Sequence, residues 1–240
     1  MLFVNYNHIA VEGIDGSGKS TFVKRLCREL DNEVNTLITD CSPYDKDLTP
    51  IIRRLLKNEY GMDKKTLHKS LLNLFTLDNR LHSEDIEKNS MNGDIYLSDR
   101  FIGSTLAYQS LNTKMKKIIK MIRKTKTTKV PGLIIFFDVD PKISLARINS
   151  RGEEKEIFEK EATLIKVRKN YLDAFEMLKE ETKNKCLIIS INANRDEESV
   201  YKDAYNIFKF YCLFQCGLIE IDEKIYEELN RLNSDDIKFL

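Results

Sequence analysis

The sequence of 240 residues lacks the patterns that mark several classes of protein. Its five cysteines form no C-x-x-C pair and show no Cys/His spacing typical of a metal site. An odd number of cysteines scattered along a chain of this length predicts reduced thiols and a cytoplasmic location. The formal net charge is only +1, from 39 basic and 38 acidic residues. This balance argues against a dedicated nucleic-acid-binding protein, which usually carries a basic excess.

Long apolar runs are also missing. The first residues do not combine a charged segment with a long apolar one, so we expect no signal peptide. The most apolar late run, residues 207–219, is too short to cross a bilayer and contains Lys209 and Gln215. We find no internal repeat, low-complexity segment or convincing linker. The sequence therefore predicts a soluble protein with no membrane partner.

The most informative stretch is residues 13–21, GIDGSGKST, which fits G-x-x-x-x-G-K-[ST] without mismatch. An apolar run at residues 8–11 precedes it, and an amphipathic run at residues 22–30 follows. The glycines allow the backbone N–H groups to point at phosphate oxygens, and the helix N-terminus favours negative charge. Lys19 would neutralise the outer phosphates, and the hydroxyl of Ser20 would bind Mg²⁺. The residues predicted to hold a nucleoside triphosphate are Gly13, Ile14, Asp15, Gly16, Ser17, Gly18, Lys19, Ser20 and Thr21.

Strand-like apolar runs alternate with helical patterns along the rest of the chain. The predicted strands are residues 8–11, 34–39, 95–98, 133–138 and 187–191. This alternation predicts an α/β fold with a parallel sheet covered by helices on both faces, and ligands at the carboxyl ends of the strands. We expect one domain over residues 1–211 and a C-terminal tail, residues 212–240, with a short helix.

Two groups of charged residues are candidates for phosphate chemistry. Asp99 and Arg100 follow the third predicted strand. The planar fork of Arg100 would hold an acceptor phosphate, and Asp99 would hold Mg²⁺ through water or orient Arg100; a structural salt bridge is the alternative. Arg147 and Arg151 share one face of a predicted helix and would close over the triphosphate as lid cations, or else are ordinary surface arginines.

With these pieces in order, the chain resembles the thymidylate kinases over residues 9–211. The resemblance rests on four stretches: EGIDGSGKST at residues 12–21, DRF at 99–101 with Ser104, AYQ at 107–109, and DVDP at 138–141. It implies ATP- and Mg²⁺-dependent transfer of the γ-phosphate to a deoxynucleoside monophosphate, usually dTMP. It also implies a P-loop NTPase-type three-layer fold with a five-stranded parallel sheet and, commonly, a homodimer.

The resemblance also assigns roles to individual residues. Asp15 would lie near the acceptor and the phosphates, and Lys19 would contact the β- and γ-phosphates. Arg100 would contact the acceptor phosphate. Phe75, which on its own pattern would be a core residue, becomes the ring that stacks on the base. The remaining assignments are Tyr108 and Gln109 in the nucleoside site, Arg147 and Arg151 in the lid, and the backbone of residues 192–194 beside the adenine.

Two positions depart from the family pattern. Cys41 stands where the family usually has the arginine of R-E-P-G-G, so one phosphate contact is missing or supplied elsewhere. Asn79 stands where an arginine usually reads the base edge, and Arg80 follows it by one residue. Because a polar site selects strongly only when its hydrogen-bonding groups are in place, we expect weaker or broader selection of the monophosphate. Arg80 is the candidate replacement.

Three alternative functions compete with this interpretation. A nucleoside kinase acting on a 5′-hydroxyl would need a general base after the second strand, where Asp40 and Asp45 are available. A GTP-dependent switch is disfavoured because the guanine-reading pattern N-K-x-D is absent: residues 184–187 read NKCL. A non-catalytic nucleotide-binding homologue is suggested by Cys41 and Asn79, although the phosphate loop and the Asp99–Arg100 pair are intact.

Overall fold

The fold is built on a central sheet whose strands we number in chain order. The computed structural model describes residues 1–30, 37–89, 94–150, 157–158, 160–215 and 236–240. The strands are β1 (Val4–Glu12), β2 (Leu37–Cys41), β3 (Ile95–Asp99), β4 (Val130–Asp138), β5 (Leu187–Asn192) and β6 (Ile237–Phe239). Their order in the sheet is β2-β3-β1-β4-β5-β6. The first five pair in parallel, and β6 pairs antiparallel with β5.

Eight helices connect and cover these strands within the described ranges. They are α1 (Lys19–Leu30), α2 (Leu48–Leu56), α3 (Lys64–Asn89), α4 (Ile102–Gln109), α5 (Met115–Thr125), α6 (Pro141–Asn149), α7 (Glu161–Thr182) and α8 (Glu197–Gln215). Helices α1 and α8 pack against each other and against the sheet, whereas α3, α4, α5 and α7 form a second connected layer. Strand β4 is buried from Val130 to Phe137, as expected for a sheet covered on both faces. The predicted three-layer α/β fold is therefore confirmed.

Apolar residues at helical spacing form the inner face of helix α7. Five of them are fully buried: Leu164, Val167, Tyr171, Phe175 and Leu178. The start of α6 follows from local chemistry, since the side chain of Asp140 accepts a hydrogen bond from the Lys142 backbone N–H and Pro141 occupies the first turn.

The C-terminal part of the chain differs from the expectation in two respects. Helix α8 continues to Gln215, past the predicted domain end at residue 211. Strand β6 adds a sixth, antiparallel strand to the predicted five, because the edge of β5 offers unpaired backbone groups that residues 237–239 satisfy. The predicted short helix at residues 225–232 lies outside the described residues, and the division of the chain at residue 211 stays a prediction. No helix in the described ranges is long and apolar enough to cross a membrane.

Candidate functional site

The phosphate loop joins the end of β1 to the start of α1, as its sequence predicted. Gly13 and Gly16 have φ angles of +152° and +75°, which side chains rarely adopt. A Cβ atom on Gly13 would lie 2.8 Å from the Phe137 carbonyl oxygen, and one on Gly16 would lie 2.6 Å from that of Ser144. The loop therefore needs glycine at both positions, for its backbone turn and for its close packing on β4 and α6.

Lys19 lies inside this loop as a buried cation. Its Nζ donates hydrogen bonds to the Ile14 carbonyl oxygen at 2.9 Å and to Ser17 Oγ at 3.1 Å, and the residue is 3% exposed. Burial, with repulsion from Arg100, lowers the pKa of Lys19 from 10.5 to about 8. Both acceptors are neutral, and no ion pair neutralises Lys19 within the described part of the chain. An anionic ligand in the loop would therefore add to the partial compensation that nearby carboxylates give this charge.

Ser20 and Asp99 meet at the carboxyl ends of β1 and β3. The Ser20 hydroxyl donates a hydrogen bond to Asp99 Oδ2. Asp99 is 5% exposed, and its Oδ1 is buried without a hydrogen-bond partner in the structure. Because a buried carboxylate oxygen without a partner is unfavourable, this pair is suited to an additional donor or a hard cation.

Arg100 is held in place by several groups at once. Its Nη1 donates to the Gly13 carbonyl oxygen at 2.9 Å, to Ser104 Oγ at 3.1 Å and to Tyr171 Oη at 3.2 Å. Its Nη2 forms an ion pair with Asp15 Oδ1. The residue has a φ of +74°, a conformation that is uncommon for arginine and that the surrounding contacts maintain.

Asp15 connects Arg100 to the next element of the site. Its second carboxylate oxygen, Oδ2, accepts a hydrogen bond of 2.7 Å from the hydroxyl of Tyr108 on α4. A guanidinium, a carboxylate and a phenol thus form one chain of contacts beside the phosphate loop. The predicted residues Asp15, Arg100 and Tyr108 are brought together, although Asp15 lies 93 residues before Tyr108 in the sequence.

A buried carboxylate, Glu12, supports this cluster from below. It accepts hydrogen bonds from the Phe101 backbone N–H at 3.0 Å, from Ser104 Oγ at 2.6 Å and from Tyr171 Oη at 3.3 Å. Burial raises the pKa of Glu12, and the hydrogen bond from Ser104 opposes that shift. Neither Glu12 nor Tyr171 was predicted as a site residue, because the sequence does not show what their polar atoms contact.

Two cavities open on the phosphate loop. Cavity A lies on the side of Arg100 and Tyr108, and its wall includes Asp15, Gly16, Gly18, Lys19, Ser20, Thr21, Cys41, Ser42, Pro43, Arg53, Leu56, Phe75, Asp99, Arg100, Ser104, Thr105, Tyr108, Gln109 and Phe158. Phe75 is half-buried here, and the ring of Phe158 meets that of Tyr108 edge-to-face at 5.3 Å. Gln109 is buried, and its Nε2 has no partner in the structure. Cavity A therefore combines cations at one end with aromatic rings and amide donors at the other.

Cavity B lies on the other side of the loop. Its wall includes Gly16, Ser17, Gly18, Thr21, Phe22, Phe137, Arg147, Ser150, Ala193, Arg195, Asp196, Glu197, Val200 and Tyr201. Arg147 reaches across it, with Nη1 at 3.5 Å from the Gly16 carbonyl oxygen and Nη2 at 3.4 Å from that of Arg195. Gly16, Gly18 and Thr21 border both cavities, so two ligands would meet at the phosphate loop.

Comparison with known proteins agrees with this arrangement. Residues 11–203 match the family described as thymidylate kinase. The chain belongs to the thymidylate kinase family. A probable thymidylate kinase of Metallosphaera sedula is 33% identical over 166 residues, which is 69% of this chain and 78% of that protein. The thymidylate kinase of Leptospira interrogans serovar copenhageni is 30% identical over 204 residues, covering 83% of this chain and 92% of that protein.

In this member of the thymidylate kinase family, an arginine lies near Cys41, the position that departs from the family pattern. Cys41 is exposed, pairs in register with Asp99 on the neighbouring strand and borders cavity A. Arg53, on α2, borders the same cavity and was missed as a site residue. The sequence feature that could have identified Arg53 is its position between Ile52 and Leu55, because these two buried residues fix how α2 packs beside the site.

Asn79 and Arg80 point in different directions. Asn79 is 1% exposed and its Nδ2 donates to Thr105 Oγ1 at 2.8 Å, while its Oδ1 is buried and has no partner among the described residues. Arg80 is exposed, pairs with Glu84 at 2.9 Å and is absent from the wall of cavity A. Consecutive helical residues are about 100° apart around the axis. With Asn79 facing inward, Arg80 therefore faces solvent and does not reach the position where the sequence placed it.

The structure describes only part of the predicted lid. Arg147 lies at cavity B, whereas Arg151 lies outside the described residues. Phe158, from the segment between α6 and α7, packs on cavity A and was not predicted.

Proposed function

We propose that this protein transfers the γ-phosphate of ATP to dTMP, giving dTDP and ADP. The observation that carries the proposal is the contact chain from Gly13 through Arg100 and Asp15 to Tyr108. It ties a cation to the phosphate loop on one side and to an aromatic, amide-lined cavity on the other. Phosphoryl transfer depends mainly on positioning two phosphates in line and on stabilising their charge, and this cluster supports both.

The donor nucleotide would bind the phosphate loop from cavity B. The loop backbone N–H groups and the N-terminus of α1 would hold the triphosphate, and Lys19 would contact its β- and γ-phosphates. Arg147 borders this cavity and would stabilise the charge that spreads over the transferred phosphoryl group, with Arg151 as a second lid cation. The backbone of residues 192–194 would lie beside the adenine.

Ser20 and Asp99 would hold Mg²⁺. The partnerless Oδ1 of Asp99 and the adjacent hydroxyl of Ser20 are hard oxygen ligands of the kind that Mg²⁺ prefers. The described residues contain no group of three His, Cys, Asp or Glu side chains suited to a metal, but Mg²⁺ in such sites takes few protein ligands and completes its shell with phosphates and water. When bound, the ion would neutralise charge on the phosphate oxygens.

The acceptor monophosphate would bind in cavity A. Arg100 would hold its phosphate through a charge-assisted bidentate contact, and Arg53 would supply the contact that Cys41 cannot make. Phe75 would stack on the base. The partnerless Nε2 of Gln109 and the hydroxyl of Thr105 would then meet the polar edge of the pyrimidine.

The alternative of a nucleoside kinase is not favoured by the positions of its candidate bases. Asp40 is hydrogen-bonded to His82, and Asp45 accepts backbone N–H bonds from Asp47 and Leu48 at the start of α2. Neither carboxylate borders cavity A. Each carboxylate therefore already makes contacts within the fold, and neither lines the cavity proposed for the acceptor.

Two further features remain proposals from the sequence. Assembly as a homodimer predicts a solution mass of about twice the 28.0 kDa of one chain, measured by light scattering coupled to size exclusion. A cytoplasmic location would be tested by fractionating the source cells and probing each fraction with an antibody.

The test of the proposed reaction measures ADP release from Mg·ATP with one acceptor at a time: dTMP, dUMP, dGMP, dCMP, dAMP or thymidine. We expect the largest kcat/KM with dTMP. Because Asn79 replaces the usual arginine and Thr105 Oγ can either donate or accept, we expect weaker discrimination between keto and amino pyrimidines than a fixed donor would give. Activity on thymidine but not on dTMP would contradict the proposal.

Neighbouring arginines on α2 give a matched pair of variants. Arg53 borders cavity A, whereas Arg54 pairs with Glu59 at 3.0 Å and lies over the ring of Tyr60. We expect Arg53→Ala to raise the KM for dTMP about tenfold, the loss of roughly one charged contact, with little change in the KM for ATP. Arg54→Ala should leave both constants unchanged. Equal effects of the two substitutions would refute the role of Arg53.

A further inference from the structure

Strand β6 joins the sheet at the edge nearest to cavity B. It pairs with β5 through Ile191 and Ile237, Ser190 and Lys238, and Ile189 and Phe239. The residues of β6 lie beyond residues 11–203, which match the thymidylate kinase family. The residue that precedes the strand, Asp236, makes contacts that the pairing of the two strands does not require.

Asp236 contacts the last residue of β5 and the segment that follows it at three points. Its carbonyl oxygen accepts the Asn192 backbone N–H at 2.8 Å. Its Oδ1 accepts from Asn192 Nδ2 at 2.7 Å, and its Oδ2 lies 3.0 Å from Arg195 Nη1. The side chains of Asp236 and Arg195 are 17% and 22% exposed, so water screens this ion pair only partly.

The guanidinium of Arg195 contacts protein groups through each of its three nitrogens. Besides Asp236, its Nη2 pairs with Asp203 on α8, and its Nε donates to the Asn192 carbonyl oxygen at 3.2 Å. With two carboxylates on one guanidinium, little net positive charge is left to attract a triphosphate. Arg195 therefore acts through its position and not through its charge.

The backbone that these contacts fix is part of the wall of cavity B. Ala193 and Arg195 border this cavity together with the phosphate loop. The carbonyl oxygen of Arg195 accepts a hydrogen bond of 3.4 Å from Arg147 Nη2, and Arg147 also reaches the Gly16 carbonyl oxygen. Asp236 is thus linked through Arg195 to the arginine that spans the cavity.

We propose that Asp236 is a positioning residue for the donor-nucleotide site, holding Arg195 and the wall of cavity B through the strand β6. The inference rests on the proposed function only for the identity of the donor as ATP. Neither Asp236 nor Arg195 borders cavity A. Loss of the Asp236 carboxylate should therefore weaken binding of ATP and leave use of the acceptor unchanged.

The experiment compares Asp236→Asn with Lys238→Ala in the full chain. Lys238 is exposed on the same strand and serves as the matched control. ATP binding is measured by equilibrium titration without acceptor, and the KM values for ATP and dTMP and the kcat are measured at steady state. For Asp236→Asn we expect the Kd and KM for ATP to rise about three- to tenfold, the range for loss of one partly buried charged contact. The KM for dTMP should stay within about twofold, and Lys238→Ala should match the wild type.

Several outcomes overturn the inference. A lower Tm with unchanged ATP binding would make Asp236 a stabilising residue only, and an equal rise in both KM values would make its effect general. If Asp236→Asn does not fold, Arg195→Lys gives the same test, because lysine keeps the charge but cannot bridge both carboxylates; normal ATP binding by that variant would refute the proposal. A wild-type protein that binds ATP but does not phosphorylate dTMP would overturn the acceptor assignment and leave this inference standing, whereas absence of ATP binding would overturn both.

Discussion

Replacing Lys19 with methionine should make the ligand-free protein more stable while removing most of its activity. Methionine keeps the length of the side chain and its apolar stem but carries no charge. Lys19 is 3% exposed, and its ammonium group donates hydrogen bonds to two neutral oxygens among the described residues. Nearby carboxylates offset only part of the cost of burying this charge, so a bound anion would offset more of it.

The magnitude follows from the pKa of Lys19. Its fall from 10.5 to about 8 means that the charged form is roughly 3 kcal/mol less favourable in the folded than in the unfolded state. Methionine removes this penalty but also removes two hydrogen bonds, to Ile14 and Ser17, worth about 1 kcal/mol each. We therefore expect Lys19→Met to raise the free energy of unfolding by about 1 kcal/mol at pH 7. Loss of a cation from the transition state should lower kcat by at least about 10²-fold.

The sign of the pH dependence provides a second check. Below pH 8, Lys19 is protonated in both states, and the folded state carries the full penalty. Between pH 8 and 10.5, the unfolded state binds more protons than the folded state, so the stability of the wild type rises with pH. Above pH 10.5 the penalty is gone. The stability advantage of Lys19→Met should therefore shrink as the pH rises from 8 to 10.5.

The assay is urea unfolding without nucleotide at pH 7, 9 and 10.5, together with kcat for dTMP at pH 7. Lys24→Met is the matched control, since Lys24 is exposed on the same helix, and we expect its stability to stay within about 0.5 kcal/mol of the wild type. A Lys19→Met protein that is more than about 1 kcal/mol less stable than the wild type would refute the reasoning about the uncompensated charge. Near-normal turnover would refute the assignment of Lys19 to the phosphates.

Two further predictions concern Arg100 and His8. Arg100→Lys keeps the charge but loses the planar fork that contacts Gly13 and Asp15. The KM for dTMP should therefore rise about tenfold or more, while the Kd for ATP changes little. Steady-state constants equal to those of the wild type would contradict this role of Arg100. Burial holds the pKa of His8, which is 1% exposed and bonded to Ser98 at 2.7 Å, well below 6.5. Below pH 6.5 the unfolded state therefore binds a proton that the folded state does not, so His8 should lower the free energy of unfolding by up to about 1.4 kcal/mol per pH unit. In urea unfolding at pH 7.5, 6.5 and 5.5, the free energy of unfolding should decline less steeply for His8→Gln than for the wild type. Parallel declines of the two proteins would refute this role of His8.

Most of the fold could be predicted from the sequence because its signals are local. Each predicted strand run lies within or overlaps a strand of the parallel sheet, and the motif at residues 13–21 forms the turn that its glycines indicated. The chemistry of a phosphate loop depends on residues close together in the chain, so spacing alone was enough. Strand β6 escaped prediction because three residues carry no periodic signal, and they pair only because β5 presents an open edge.

The candidate site was less predictable where it depended on the direction in which a side chain points. Arg80 and Asn79 are neighbours in the sequence, yet the phase of α3 turns Asn79 towards Thr105 and Arg80 towards Glu84. Arg53 was not predicted as a site residue because an arginine on an amphipathic helix is usually a solvated surface residue. Its approach to cavity A depends on how α2 packs, and that is a property of the whole fold.

The sequence by itself determined the family, the phosphate loop and the identity of the principal cations, because these are encoded in short motifs whose geometry is local. Only the tertiary structure decided which distant groups support them. Glu12 and Tyr171 meet beneath Arg100 across 159 residues, and Asp236 reaches Arg195 from the last strand. Such contacts depend on the order of strands in the sheet and on the packing of the helices, which bring together polar atoms that no sequence spacing relates.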